Sequence, residues 1–233
     1  MQENAWEKEY QKSKLLTKDN KPQNDVVRFV KFLKKKLKRA GTEFPMKDLK
    51  VLDLGSGTGR NSFYFAELGA EAFGFEISDT AIKIARERAE GSGLTIKYLK
   101  QNIGAKFLCE DRSVGILLDV TSSNSLDEKG RELYLAECHR VLKPDGFFFV
   151  KALCKEGDAN AKNLLKISPG KEYDTYYMKE LDLYERVFSR EDFINLYGKY
   201  FKILELNKKT SYSCLNDRSY KRNFWVGYLT TKE

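Results

Sequence analysis

The apolar positions of this chain alternate between short continuous runs and longer segments with helical spacing. Leu49–Leu54, Glu71–Phe75, Leu94–Leu99, Gly115–Asp119 and Phe147–Leu153 have strand length. Between them, Arg60–Leu68, Ser78–Gly91 and Asp127–Leu142 read as helices, with Ser78 or Asp79 available as an N-cap. Strands that alternate with helices predict a parallel sheet covered on both faces, an α/β fold. Residues 154–188 break the alternation with polar sequence around Tyr173, Tyr176, Tyr177 and Tyr184. Arg190–Tyr197 resumes as a helix, followed by strands at Phe201–Leu206 and Asn223–Leu229 and a loop over 208–222 between them.

Ahead of this core, residues 25–39 predict one amphipathic helix. Val26, Val30, Leu33 and Leu37 fall on one face with Phe29, and Lys34, Lys35, Lys36, Lys38 and Arg39 cover the rest. Asn24 or Asp25 can cap it, and Gly41 can end it. Residues 1–20 are polar, punctuated by Trp6 and Tyr10.

A length of 233 residues fits one domain with an extension. We expect an extension over 1–40, a domain over 41–233 and a substrate-side insertion at 154–188. The net charge is +8, and residues 1–40 carry twelve Lys/Arg against five Asp/Glu. The remainder is close to neutral, so the core is no basic nucleic-acid platform. The basic helix offers a docking arm for RNA or an acidic partner, or a solvated outer face.

No apolar run approaches the ~18 residues of a membrane span. The polar start MQENAWEKEYQKSK is unlike a signal peptide. Cys109, Cys138, Cys154 and Cys214 are scattered, with no C-x-x-C pair and one histidine, so a zinc site is not expected. These features predict a cytoplasmic protein with reduced cysteines and no metal.

Candidate chemistry concentrates in VLDLGSGTG, residues 51–59. A buried run enters a glycine turn, Gly55, Ser56, Gly57, Thr58 and Gly59, which opens onto a helix whose N-terminus offers free N–H groups. The third glycine comes one residue too early for the dinucleotide pattern G-x-G-x-x-G. Asp53, just before the turn, would repel a pyrophosphate but suits the cationic groups of S-adenosylmethionine. Glu76, ending the second run, can accept hydrogen bonds from both hydroxyls of a ribose.

VLDLGSGTGRNSFYFAELGAEAFGFEIS resembles the first two motifs of class I S-adenosylmethionine-dependent methyltransferases. Its GTGRNS continuation is most similar to the tellurite-resistance and thiopurine methyltransferase type. Leu142-Lys143-Pro144-Asp145-Gly146-Phe147 is similar to that family's turn before the fifth strand, with Asp in place of the first glycine. The resemblance covers roughly residues 49–152. It implies a Rossmann-like, seven-stranded, mostly parallel sheet with the last strand inserted antiparallel. It implies a methyl transfer by in-line displacement, with S-adenosylmethionine as cofactor.

By the same resemblance, Asp53, Gly55, Ser56, Gly57, Gly59 and Asn61 surround the methionine end of the cofactor. Glu76 takes the ribose, and Ile77, Asn102 and Ile103 take the adenine. Asn102 stands where the family usually has an aspartate. Asp119 ends the fourth strand, facing the transferable methyl, and can accept a proton or steer a cationic amine. The N/D-P-P-Y/F motif of nucleic-acid amine methylation is absent there. Tyr212, with Tyr173, Tyr176 and Tyr177, is a candidate for an aromatic roof over the acceptor. Trp6 and Tyr10 are candidates to close over the cofactor. His139, in a helix distant from the strand ends, reads as structural.

Three functions remain open from the residues. The first is methylation of a small molecule, with Asp119 and Tyr212 as catalytic candidates. The second is methylation of protein or RNA docked on the basic helix. The third is a regulatory protein that binds S-adenosylmethionine without turnover. The oligomeric state is not set by any of these residues.

Overall fold

The computed structural model describes residues 2–12, 20–39, 41, 46–47, 49–215 and 218–232. The chain runs α1 (Gln2–Gln11), α2 (Asn24–Arg39), β1 (Lys50–Leu54), α3 (Arg60–Glu67), β2 (Glu71–Glu76) and α4 (Asp79–Ala89). It continues through β3 (Ile96–Lys100), β4 (Val114–Val120), a 3-10 turn (Ser123–Ser125), α5 (Glu128–Val141) and β5 (Leu142–Leu153). The last elements are α6 (Ala159–Ile167), β6 (Thr175–Met178), β7 (Leu183–Arg186), α7 (Arg190–Gly198), β8 (Phe201–Leu215) and β9 (Arg218–Thr231).

Seven strands form one sheet in the order β3-β2-β1-β4-β5-β9-β8. The first five are parallel, and β9 enters antiparallel between β5 and β8. Residues of one strand alternate between two cores, as the two-residue period of a strand requires. Phe148 and Val150 face α5 and α7, in a core with Tyr134, Leu135, Phe193 and Tyr197. Phe149 faces the other way, with Val51, Ile116 and Leu118, against α2 and α3. Val26, Phe29, Val30 and Leu33 of α2 are fully buried in that second core. The apolar stripe of the basic helix is thus packed on the sheet, while Lys31, Lys34, Lys35, Lys36, Lys38 and Arg39 stay exposed.

Polar side chains start the helices as the sequence implies. Ser78 accepts from Ala81 N–H, Asp127 from Gly130 N–H, Asp158 from Ala161 N–H and Ser189 from Asp192 N–H. Each satisfies a backbone donor that the first turn leaves free.

Three segments differ from expectation. Residues 2–11 form a helix, although their sequence shows no strong apolar stripe. Glu7 fixes it by accepting hydrogen bonds from Ser78 Oγ at 2.6 Å and Thr80 N–H at 3.1 Å. Ala5 packs with Leu153, Tyr176 and Leu183, and Glu3 pairs with Lys100 at 2.8 Å. Residues 154–188 contain α6 and a separate two-stranded sheet, β6-β7, with Tyr177 against Tyr184 across the pair at 4.9 Å. The expected loop over 208–222 is largely strand, with β8 and β9 paired from Phe201–Thr231 out to Leu215–Arg218. Along β8 the lysines follow edge-strand logic, because a strand with one open side is protected by charge.

Candidate active site

The strand order reverses between β1 and β4, and in open α/β sheets ligands bind beyond the carboxyl ends of strands at such a point. Here β1 passes into the glycine turn. Gly55, Gly57 and Gly59 have φ of 69°, 56° and 77°, a backbone region that disfavours side chains. A β-carbon on Gly55 would collide with Ser122 Oγ, and one on Gly57 would lie 2.5 Å from the Tyr10 hydroxyl. The turn is held by Gly55 and Ser56 N–H on the Phe75 carbonyl and by Gly57 N–H on Glu76 Oε2 at 2.8 Å.

Two adjoining cavities open here. The smaller, about 110 Å³, is lined by Gly55, Glu76, Ile77, Asn102 and Ile103 from the strand ends and by Gln2, Trp6 and Tyr10 from α1. Its volume is below the roughly 300–1,000 Å³ usual for ligand pockets, because α1 lies across its mouth. Gln2 also donates to the Ser125 carbonyl. The larger cavity, about 760 Å³, lies between the turn after β4, the start of α5 and the β6-β7 hairpin. Ile77, Asn102, Ser125, Leu126 and Gln2 line both.

The expected site residues separate into two groups. Gly55, Glu76, Ile77, Asn102 and Ile103 meet in the small cavity. Glu76 Oε1 also accepts from Ile77 and Ser78 N–H, and burial raises its pKa despite these bonds. Asn102 Oδ1 accepts from Gly104 N–H at 2.8 Å, which fixes the turn after β3.

Asp53, Ser56, Gly57, Gly59, Asn61 and Asp119 are buried behind the surface and line neither cavity. Asp53 accepts from Ser62 Oγ at 2.8 Å, tying β1 to α3, and burial pushes its carboxyl up to about 7. Asn61 accepts from Gln23 N–H at 3.0 Å. Asp119 accepts from Tyr134 Oη at 2.6 Å and from Ser122 N–H at 2.8 Å, and burial raises its pKa. It therefore shapes the turn after β4 from beneath.

Tyr212 does not join the site. It is 71% exposed, pairs across the β8-β9 ribbon with Lys221 and lines neither cavity. Strand pairing carries the 208–222 segment along the sheet edge. Of the other tyrosines proposed as a roof, Tyr173 is exposed, Tyr176 is buried against Glu185 and Arg222, and Tyr177 binds Asp182. Tyr184 is the one that lines the larger cavity. His139 is exposed beside the rings of Tyr200 and Phe201, away from both cavities.

The sequence pattern does not point to Ser125, Leu126 and Arg186, which are wall residues here. The Ser-Ser-Asn-Ser run at 122–125, directly after a strand end, was the available signal. Among the described residues, no group of three or more His, Cys, Asp or Glu could hold a metal ion, and no helix is long and apolar enough to cross a membrane.

This geometry fits S-adenosylmethionine. The glycine turn allows close backbone approach, and Glu76 stands on the wall with its ribose-binding chemistry. The acid on that wall, Glu76, disfavours a pyrophosphate beside it.

Residues 51–146 match the family described as a methyltransferase domain. The ubiquinone biosynthesis O-methyltransferase of Cereibacter sphaeroides is 33% identical over 131 residues, covering 55% of this chain and 49% of that protein. The chain thus spans about half the length of the curated relatives it matches. A structure of a SAM-dependent methyltransferase from Methanosarcina mazei superposes with a TM-score of 0.68 at 22% identity, covering 79% of this chain and 93% of the other. TehB from Haemophilus influenzae gives 0.65 at 19% identity, covering 90% and 62%. These two likenesses show the Rossmann-like fold.

Proposed function

We propose that the protein is an S-adenosylmethionine-dependent methyltransferase acting on a small molecule. The observation that carries this reading is the meeting of Glu76 with the glycine turn at the carboxyl ends of β1 and β2. The methyltransferase domain match over 51–146 and the O-methyltransferase relatives support it. The GTGRNS motif and the likeness to TehB support a place near the tellurite-resistance type.

Glu76 would accept the ribose hydroxyls, and Ile77 and Ile103 would flank the adenine, with Asn102 at its edge. The backbone of Gly55, Ser56 and Gly57 would hold the methionine portion. Gly59, Asn61 and Asp53 would act through the loop and the start of α3. Asp119 would set the Ser122–Ser125 turn against the reacting groups. When bound by these residues, S-adenosylmethionine would supply an activated methyl group for the acceptor. The chain supplies alignment, and positioning of this kind is worth on the order of 7–11 kcal/mol. α1 would exclude water once Trp6 and Tyr10 have moved to admit the cofactor.

A small acceptor is favoured over a docked macromolecule because no residue of α2 lines either cavity. The test is transfer of radiolabelled methyl from S-adenosylmethionine into lysate fractions. Label in low-mass metabolites supports the proposal. Label in RNA or protein, lost as salt rises, transfers the role to the cations of α2. Cofactor binding with no label in any fraction leaves a non-catalytic binding protein.

A further inference from the structure

The wall of the larger cavity has donors that nothing in the protein satisfies. The unpartnered buried side-chain atoms among the described residues are Ser56 Oγ, Asn124 Nδ2, Ser125 Oγ, Arg131 Nε and Nη1, and Arg186 Nε. All but the first belong to the 3-10 turn after β4, the start of α5, or β7, which packs on that turn. Buried polar groups are nearly always paired, so a cluster of orphans calls for a missing partner.

The chemistry of that partner follows from the atoms. Asn124 is 1% exposed, and its Oδ1 accepts from Leu153 N–H at 3.3 Å, so the free end is the NH₂ donor. Ser125 is 5% exposed and lines both cavities. Arg186 binds both oxygens of Asp192 through Nη2 and leaves Nε unused. Arg131, behind the wall, donates to the Leu126 carbonyl and stands 3.7 Å from Glu172. Burial, and next the charge of Arg186, hold Arg131 below its ordinary pKa.

The carboxylates on the same wall are already engaged. Glu172 accepts from Glu128 N–H, Glu185 from Tyr176, Asp182 from Tyr177 and Asp127 from Gly130 N–H, and Glu3 pairs with Lys100. What the orphaned donors lack is an acceptor atom, and the two guanidiniums among them favour one that carries negative charge. We propose that it binds a carboxylate on the methyl acceptor, with Asn124 and Ser125 hydrogen-bonding it, Arg186 pairing with it and Arg131 adding charge from behind. The word acceptor rests on the methyltransferase reading; the carboxylate site can be read without turnover. Ser125 and Leu126 border the small cavity, so a group held there lies beside the site of methyl transfer.

Benzoate and benzamide form the test pair, alike in shape and different in charge. Binding to the full chain is measured by calorimetry and saturation-transfer NMR, with and without S-adenosylhomocysteine. Benzoate is expected to bind at least about tenfold tighter than benzamide, because hydrogen bonds to a charged group are the stronger kind. Ser125→Ala and Arg186→Gln should each weaken benzoate about five- to tenfold and leave benzamide unchanged. Ser125→Ala removes a hydroxyl that no fold contact uses, so it keeps the test open if Arg186→Gln fails to fold.

Equal binding of the two probes, binding of neither, or benzoate affinity unmoved by Ser125→Ala overturns the inference. S-adenosylhomocysteine binding separates the two readings. If it binds and benzoate is not preferred, the carboxylate site alone is wrong. If it does not bind and benzoate is preferred, the methyltransferase reading is wrong and the anion site stands.

Discussion

The hydroxyl of Tyr10 stands 2.5 Å from where a β-carbon on Gly57 would be, so the N-terminal helix rests directly on the glycine turn. Gly57→Ala would add that clash to the cost of φ +56°, a region that penalises L-residues by roughly 1–2 kcal/mol. Affinity for S-adenosylhomocysteine should fall about tenfold or more. Tyr10→Ala in the same chain should recover the steric part and leave the backbone part. Calorimetry on the two single variants and the double variant checks this, and strict additivity would show that the residues do not touch.

Asp53 gives a pH prediction. Burial raises its carboxyl from 3.8 to about 7. The folded protein therefore holds this proton more tightly than the unfolded chain. The associated stability is fully present below about pH 4 and is lost as pH rises through about 7. Asp53→Asn should remove that slope, so the stability difference between variant and parent should change between pH 4 and 7 and level off above. Urea titrations across this range measure it.

Glu7 works in the opposite sense. Burial opposes its charge, but hydrogen bonds from Ser78, Thr80 and Gln11 bring its pKa from 4.5 down to about 2. Its contribution to holding α1 is present above about 4.5 and is lost as pH falls towards 2. Glu7 is partly open to solvent, so the pH-dependent part is discounted for screening. Glu7→Ala should loosen α1 by on the order of 1 kcal/mol, the usual loss for a helix cap. Faster amide exchange in residues 2–11, with β1 and β4 unchanged, is the expected signature.

Asp158 is predicted to matter most for stability. It caps α6 and accepts from Arg222 Nε at 3.0 Å and Asn223 N–H at 2.8 Å. Asp158→Ala leaves the buried Arg222 guanidinium without this partner, a change that typically costs about 3–5 kcal/mol. Asp158→Asn keeps an acceptor and should lose less. Thermal unfolding of both variants orders them.

Tyr212→Phe and Tyr212→Ala should leave methyl transfer unchanged and stability within about 0.5 kcal/mol, as for other exposed positions. A large loss of turnover in either variant would return this residue to the site.

The sequence exposes the parallel core well, because buried strands such as Val51–Leu54 and Phe147–Leu153 are apolar at all but one position each, Asp53 and Lys151. It hides α1, since that helix is held by Glu7 on Ser78 and Thr80, contacts made across seventy residues of chain. It hides the outer half of the β8-β9 ribbon for another reason. An edge strand such as Lys208–Tyr212 exposes one side and lacks a clean apolar alternation. In the site, Glu76 and Ile77 are readable because a strand end and a glycine turn place them. Asp119 is readable as a strand-end acid, but its partner Tyr134 lies on a helix no local pattern connects to it. Arg131 and Arg186 meet only through the packing of β7 on the Ser123–Ser125 turn.

That turn is a party wall between two rooms. Ser125 and Leu126 line the small and the large cavity at once, whereas Leu183, Tyr184 and Arg186 of β7 line only the large one. A substitution at Ser125 cannot alter one cavity without disturbing the other, so selection on a new acceptor would find its freedom in the hairpin. Among descendants of this fold, the β6-β7 hairpin should diverge with diet while the serine-rich turn stays still.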